Sequence, residues 1–153
     1  MLLKHLLLAA ALLAAGTPAA WAPAARADET RALLVAVNAT RTRTGLDMLR
    51  DNPQLRQAAA DLAADLPRCG RLSHQGCDGS DLRERLVRAG YAFAFAAENL
   101  AHGTPNAAET LAAWLESPGH RENLLRPELR EAGIAQGELQ GQTLWVMVLG
   151  SRR

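Results

Sequence analysis

The sequence has few of the residues that would indicate nucleic-acid binding, thiol chemistry or a membrane span. Lysine occurs once, as Lys4, and 17 basic residues nearly balance 16 acidic ones among 153. This even balance gives no electrostatic reason to expect nucleic acid or an anionic membrane as a partner. No phosphate-loop or dinucleotide-binding fingerprint is present. The apolar run over residues 6–15 is about half as long as a membrane-spanning helix requires.

The N-terminal residues have the composition of a secretory signal peptide. Lys4 precedes the apolar run, and Ala25 and Ala27 form a small-x-small cleavage signal. We therefore expect residues 1–27 to be a signal peptide and residues 28–153 to be one secreted or periplasmic domain. The alternative is an uncleaved N-terminal anchor.

The two cysteines, Cys69 and Cys77, are close in sequence and enclose His74. In an exported chain such a pair favours a disulfide bond. Closing this short loop would stabilise the fold by about 2.5 kcal/mol on the chain-entropy model. The alternative is a metal site made of the two thiols and the imidazole, which an oxidising environment disfavours.

The order of predicted elements favours an α+β domain. Thr30, Asn52, Asp81 and Ser117 are the expected helix-capping residues. Apolar periodicity and start signals predict helices over residues 28–44, 52–66, 81–89, 104–115 and from 117 onward. Extended segments are predicted over residues 91–95, 132–135 and 142–149, with a turn over residues 137–141.

Two polar residues lie on the apolar stripe of the first predicted helix. Asn38 and Arg41 follow Leu34 by one and two helical turns. Polar side chains at such positions usually satisfy buried backbone groups. We expect both residues to bind the main chain of a neighbouring loop.

Three residues far apart in sequence are candidates for one cleft. His74 lies near Gly76 and His120 beside Gly119, and Glu98 is a carboxylate in an apolar setting that must be paired or protonated. Two imidazoles and a carboxylate form a ligand set suited to zinc. We expect His74, Glu98 and His120 to converge in a solvent-accessible pocket, whereas His102 is expected at the surface.

The chain resembles the bacterial CAP-domain proteins, also called SCP-like, which include cysteine-rich secretory, antigen-five and pathogenesis-related proteins. The resemblance extends from about Leu33 to Gly150. The motifs that carry it are Asn38-x-x-Arg41, Ser73-His74, Ala89-Gly-Tyr91, Glu98-Asn-Leu-Ala101, Trp114-x-x-Ser117-Pro-Gly-His120-Arg121 and Ala132-Gly-Ile134.

The resemblance implies a CAP-type α-β-α sandwich with a central antiparallel sheet and an open cleft. It assigns His74, Glu98 and His120 to the two histidines and one of the two glutamates that often line this cleft. The second glutamate position holds Ser117, and Glu116 is one residue early. Because one residue turns a helix by about 100°, Glu116 cannot simply replace it.

These observations predict a secreted or periplasmic, monomeric protein that binds a lipid, a glycan fragment or a peptide in its cleft. A divalent metal such as zinc could lie at His74, His120 and Glu98. One alternative is a metal-assisted hydrolase in which Glu98 acts as base or ligand. Another is a protein-interaction module without catalytic activity.

Overall fold

The computed structural model describes residues 23–153, which contain helices and one sheet. The helices are α1 (Pro23–Arg43), α2 (Pro53–Asp65), α3 (Leu82–Arg88), α4 (Ala107–Glu116) and α5 (Pro118–Leu125), and a 3₁₀-helix (Leu66–Arg68) follows α2. The strands are β1 (Arg50–Asp51), β2 (Phe93–His102), β3 (Glu131–Leu139) and β4 (Gln142–Arg152). This order confirms the predicted α+β class.

The predicted signal peptide can be compared with the structure only at its C-terminal end. Residues 1–22 lie outside the described residues, and residues 23–27 form the first turns of α1. The cleavage site expected after Ala27 therefore falls within a described helix and stays a prediction. Across residues 23–153, no helix has both the length and the apolar character needed to cross a membrane.

Helix start signals predict α2 and α3 correctly and α1 wrongly. The Asn52 side chain accepts bonds from two N–H groups in the first turn of α2, and Asp81 and Glu84 form a reciprocal capping box for α3. Thr30 instead lies inside α1, which begins at Pro23, and its hydroxyl donates to a carbonyl one turn earlier. A hydroxyl near a helix start is therefore not enough to fix that start.

The helices on either side of Ser117 depart from the prediction in different ways. Helix α4 begins after Asn106 rather than at residue 104, because the Asn106 side-chain oxygen accepts from the Glu109 N–H at 2.9 Å. Ser117 occupies the N-cap position of α5 with extended backbone, but its hydroxyl makes no capping hydrogen bond. The start of α5 therefore depends on Pro118, whose fixed φ suits the first helical turn.

The sheet is mixed, with strand order β1-β3-β4-β2. The long pairs β3–β4 and β4–β2 are antiparallel, as the resemblance implies, whereas the two-residue β1 pairs parallel to β3. The helices and β2 between these strands supply the long crossover that a parallel pair needs. The expectation of a purely antiparallel sheet is wrong only at this edge.

The β3–β4 hairpin has a shorter turn than predicted. Only Gln140 and Gly141 connect the strands, and both have positive φ, 52° and 76°. Such a two-residue turn matches the right-handed twist of the paired strands. Gly137, predicted as part of the turn, lies within β3.

Two glycines in β3 allow helix α2 to pack directly on the sheet. A Cβ added at Gly133 would lie within 3.0 Å of the backbone of Leu55 and Arg56, and one at Gly137 would lie 2.6 Å from the Ala63 carbonyl oxygen. No larger side chain fits these positions at the observed spacing.

The sheet separates two helical layers. Helices α2 and α3 cover one face, and α1, α4 and α5 cover the other. The side chains of β4 alternate between the two buried clusters, with Leu144, Val146 and Val148 facing the first and Trp145, Met147 and Leu149 the second. This arrangement confirms the α-β-α sandwich.

The polar residues on the buried side of α1 bind neighbouring loops, as predicted. The Asn38 amide donates to the Leu49 carbonyl at 2.9 Å and accepts from the Leu49 N–H at 2.8 Å. Arg41 is completely buried. Its guanidinium donates, at 2.7–3.2 Å, to the main-chain carbonyls of Asp47, Leu124, Arg126 and Leu129.

Candidate functional site

His74 lies in a loop closed by a disulfide bond. Cys69 and Cys77 are bonded to each other, which confirms the predicted pairing and rules out the thiol metal site. The loop follows the 3₁₀-helix after α2 and leaves the His74 side chain 61% exposed. An imidazole on a short, cross-linked loop is held in place while it remains accessible to a ligand.

Glu98 lies inside strand β2, because the strand continues to His102 and is longer than the extended segment predicted over residues 91–95. Its carboxylate is 3% exposed, and both oxygens are bound. Oε1 is 2.9 Å from His74 Nδ1, and Oε2 accepts from Arg85 Nη2 at 2.7 Å. The buried carboxylate is therefore paired, as the sequence analysis requires of an acid in apolar surroundings.

Arg85 is a residue of this site that the sequence analysis missed. It lies on α3, is 1% exposed, and donates to the His74 and Ser80 carbonyls as well as to Glu98. A signal for it exists, because Arg85 follows Leu82 by three residues and precedes Ala89 by four. A charged residue on an apolar helical stripe indicates a buried partner.

His74 and Glu98 line one cavity. Its volume is about 350 Å³, and Gln75, Asp81 and Leu82 complete the lining. This size lies at the lower end of the range for small-molecule sites. His120 is not among the residues that line this cavity.

His120 lies in the first turn of α5, as predicted, and is positioned through its backbone. The fully buried Asn99 of β2 donates to the His120 carbonyl at 3.0 Å, and Asn123 donates to the Asn99 side-chain oxygen at 2.9 Å. The imidazole lies 6.4 Å from the Trp114 ring, centroid to centroid. Its Nδ1 is buried and, in residues 23–153, has no hydrogen-bond partner. Glu98 therefore does not bind that atom.

The outer side of β2 carries two side-chain bonds from the neighbouring helices. Trp114 Nε1 donates to the Leu100 carbonyl at 2.9 Å, and Asn123 Nδ2 lies 3.4 Å from the Glu98 carbonyl. These contacts fix α4 and α5 against the strand that carries Glu98.

Glu116, Ser117 and His102 lie outside the cavity beside His74. Glu116 is exposed at the end of α4, and Ser117 is half-buried at the helix junction. His102, predicted at the surface, is half-buried, and its Nε2 is 2.7 Å from the Leu139 carbonyl. That bond ties the end of β2 to the end of β3.

The geometry around Glu98 does not fit a metal bound by its carboxylate. One oxygen is bound to the Arg85 guanidinium and the other to His74, so a metal cation at this carboxylate would lie against a buried positive charge that already neutralises it. In the described part of the chain, no three His, Cys, Asp or Glu residues are arranged to hold a metal ion. The position of the second family glutamate holds Ser117.

We expect His120 to make the free energy of unfolding decrease as the pH drops below 6.5, the usual pKa of histidine. Burial, and then the charge of His74, lower the pKa of His120 in the folded protein. The unfolded chain therefore takes up this proton first, so stability is intact above pH 6.5 and is lost as the pH falls toward the lowered folded-state pKa. Urea midpoints at about pH 7.5 and about pH 5.0 should differ less in His120→Gln than in the wild type. Equal differences would contradict this prediction.

Two bacterial proteins of similar structure are named as an extracellular protein and an outer surface protein. An extracellular SCP-domain protein of Bacillus anthracis is 25% identical, with a TM-score of 0.76 over 84% of this chain and 42% of that one. An outer surface protein of Borrelia burgdorferi is 22% identical, with a TM-score of 0.76 over 82% of this chain and 94% of that one.

Sequence comparison also finds a bacterial relative and a matching family. YkwD of Bacillus subtilis (strain 168) is 28% identical over 108 residues, which are 71% of this chain and 41% of YkwD. The chain thus spans about two-fifths of the length of this curated relative. Residues 34–149 match the family described as CAP: Cysteine-rich secretory protein family. The chain belongs to this family.

Proposed function

We propose that this protein is a secreted or periplasmic CAP domain that binds a small ligand, a glycan fragment or a short peptide, in the cavity beside His74. The observation that carries the proposal is the exposed imidazole of His74, held against the buried Glu98 at 2.9 Å in the wall of a cavity of about 350 Å³. Ligand sites typically combine such a concave surface with a few fixed polar groups.

The lining of the cavity suits a ligand that is partly polar and partly apolar. Most of its accessible surface is apolar, and the exposed His74 imidazole and the Gln75 amide supply hydrogen-bonding groups. Both oxygens of Glu98 already have partners within the protein, so Glu98 holds His74 rather than pairing with the ligand. A glycan fragment or a short peptide presents both apolar surface and hydrogen-bonding groups.

The hydrolase alternative is less well supported. A general base must be able to take a proton from a water molecule, whereas the Glu98 carboxylate is only 3% exposed and its two oxygens are held by His74 and Arg85. Removing Glu98 from its pair with Arg85 would leave a buried charge without a partner.

Native mass spectrometry followed by an NMR titration would test the proposal. The first measurement, on protein recovered from the cell envelope and culture medium, would reveal a co-purifying ligand. In the titration, di-N-acetylchitobiose and trialanine are the probes, and phosphatidylglycerol vesicles are the lipid control. We expect one of the two small probes to shift the signals of His74 and Gln75, both of which line the cavity.

His74→Gln should weaken this binding at least tenfold, on the order of one lost hydrogen bond to the ligand. The matched control is Arg71→Gln, an exposed position in the same disulfide loop that does not line the cavity. Equal binding by both variants, or a response to vesicles alone, would contradict the proposed function.

A further inference from the structure

We propose that Arg85 is a positioning residue that fixes the tautomer of His74, so that His74 presents a hydrogen-bond acceptor, Nε2, to the ligand. The inference rests on the proposed function for its biological meaning. Its physical basis lies in contacts within the protein and does not depend on a bound ligand.

Arg85 lies between the disulfide loop that carries His74 and strand β2, which carries Glu98. Its Nη1 and Nη2 each donate to the His74 carbonyl at 3.2 Å, and Nη2 also donates to Glu98 Oε2 at 2.7 Å. A single buried guanidinium thus fixes the backbone of His74 and the carboxylate that contacts its ring. Its Nε is buried without a partner in the described residues. Such a cost is typically tolerated at functional sites.

The partners of Glu98 determine which ring nitrogen of His74 carries the proton. A guanidinium has donors only, so the Glu98 atom facing Arg85 must be an oxygen acceptor. The paired carboxylate likewise offers only an acceptor to His74 Nδ1, 2.9 Å away. The proton of a neutral His74 must therefore lie on Nδ1, which leaves the Nε2 lone pair unused by Glu98.

A ligand in the cavity can contact His74 directly. The His74 side chain is 61% exposed and lines the cavity, so its second ring nitrogen is available to a bound molecule. With the proton on Nδ1, this atom accepts and does not donate while the ring is neutral. The site therefore selects ligands that place a hydroxyl or an amide N–H against His74.

The isosteric variant Glu98→Gln tests the role of Arg85 directly. Arg85 requires an oxygen, so the carbonyl of the substituted amide should turn toward Arg85 and its NH₂ group toward His74 Nδ1. The His74 proton should then move to Nε2. Imidazole ¹⁵N shifts at about pH 8, where an ordinary histidine is neutral, should show the Nδ1–H form dominating by more than about tenfold in the wild type. They should show the Nε2–H form dominating in Glu98→Gln.

Arg85→Lys is the second variant, because an ammonium cannot reproduce the planar fork that binds Glu98 and two carbonyls. We expect it to give a mixture of His74 tautomers and faster amide exchange in residues 73–76. The wild-type measurement needs no variant, so the tautomer itself can be tested even if both substitutions prevent folding, and an unchanged tautomer in a folded Arg85→Lys protein would contradict the role of Arg85.

Two further results would overturn the inference. One is an Nε2–H form of His74 in the wild type, and the other is a folded Glu98→Gln protein that retains the Nδ1–H form. Neither measurement uses a ligand. A failed probe titration would therefore count against the proposed function alone, and an unexpected tautomer against the inference alone.

Discussion

Gly133→Ala should lower the free energy of unfolding by more than about 3 kcal/mol, or prevent folding, because the added methyl group would collide with the backbone of α2. The new Cβ would fall within 3.0 Å of Leu55 and Arg56 main-chain atoms at the contact between β3 and α2. Neither the central strand nor the helix can move without opening the core around Leu55. Urea unfolding followed by circular dichroism would measure the loss.

Gly119→Ala is the matched control for this substitution. Gly119 lies in the first turn of α5, and a Cβ there would meet nothing within 4 Å. Alanine in a helix is favoured over glycine by about 0.5–1 kcal/mol, so this variant should be as stable as the wild type or slightly more stable. If both variants lost the same stability, the close approach of α2 to β3 would not be the cause.

Arg41→Met should reduce the free energy of unfolding by about 3–5 kcal/mol. Methionine has a similar length and fits an apolar site, but it cannot donate to the four main-chain carbonyls that the guanidinium binds. Those carbonyls lie in the loop after α1, in the last turn of α5 and in the loop after α5, so the substitution would leave two segments without their partner at once. The urea midpoint, measured with the disulfide intact, gives the effect.

Arg43→Met, two residues later on the same helix, is the control for Arg41. Arg43 is exposed, and its bond to the Thr40 hydroxyl is a surface contact. We expect its replacement to change stability by less than about 0.5 kcal/mol. A loss from Arg43→Met comparable to that from Arg41→Met would show that helical propensity rather than burial explains the result.

The sequence predicts the features of this fold that depend on a few neighbouring residues. Asn52 and the pair Asp81 and Glu84 cap helices within three residues, so their signals are complete in the local sequence. The buried roles of Asn38 and Arg41 follow from one helical period. The Cys69–Cys77 bond follows from close spacing in a chain predicted to be exported.

Features that depend on distant segments could not be predicted in this way. The parallel pairing of β1 with β3 joins residues about 80 positions apart, and no local pattern encodes it. Arg85 meets Glu98 only because α3 packs beside β2, so its role appears once the layers are assembled. The sequence did single out His74, Glu98 and His120, and the structure pairs the first two directly.

The bonds from Trp114 and Asn123 to the carbonyls of Leu100 and Glu98 also affect how the molecule meets other copies of itself. Strand β2 ends the sheet, and an open sheet edge is a template on which another chain can add a strand. Here an indole and an amide already occupy two outward carbonyls in the second half of β2. These two carbonyls are therefore not free to pair with a strand of another copy, which makes this half of β2 a poorer template for edge-to-edge association.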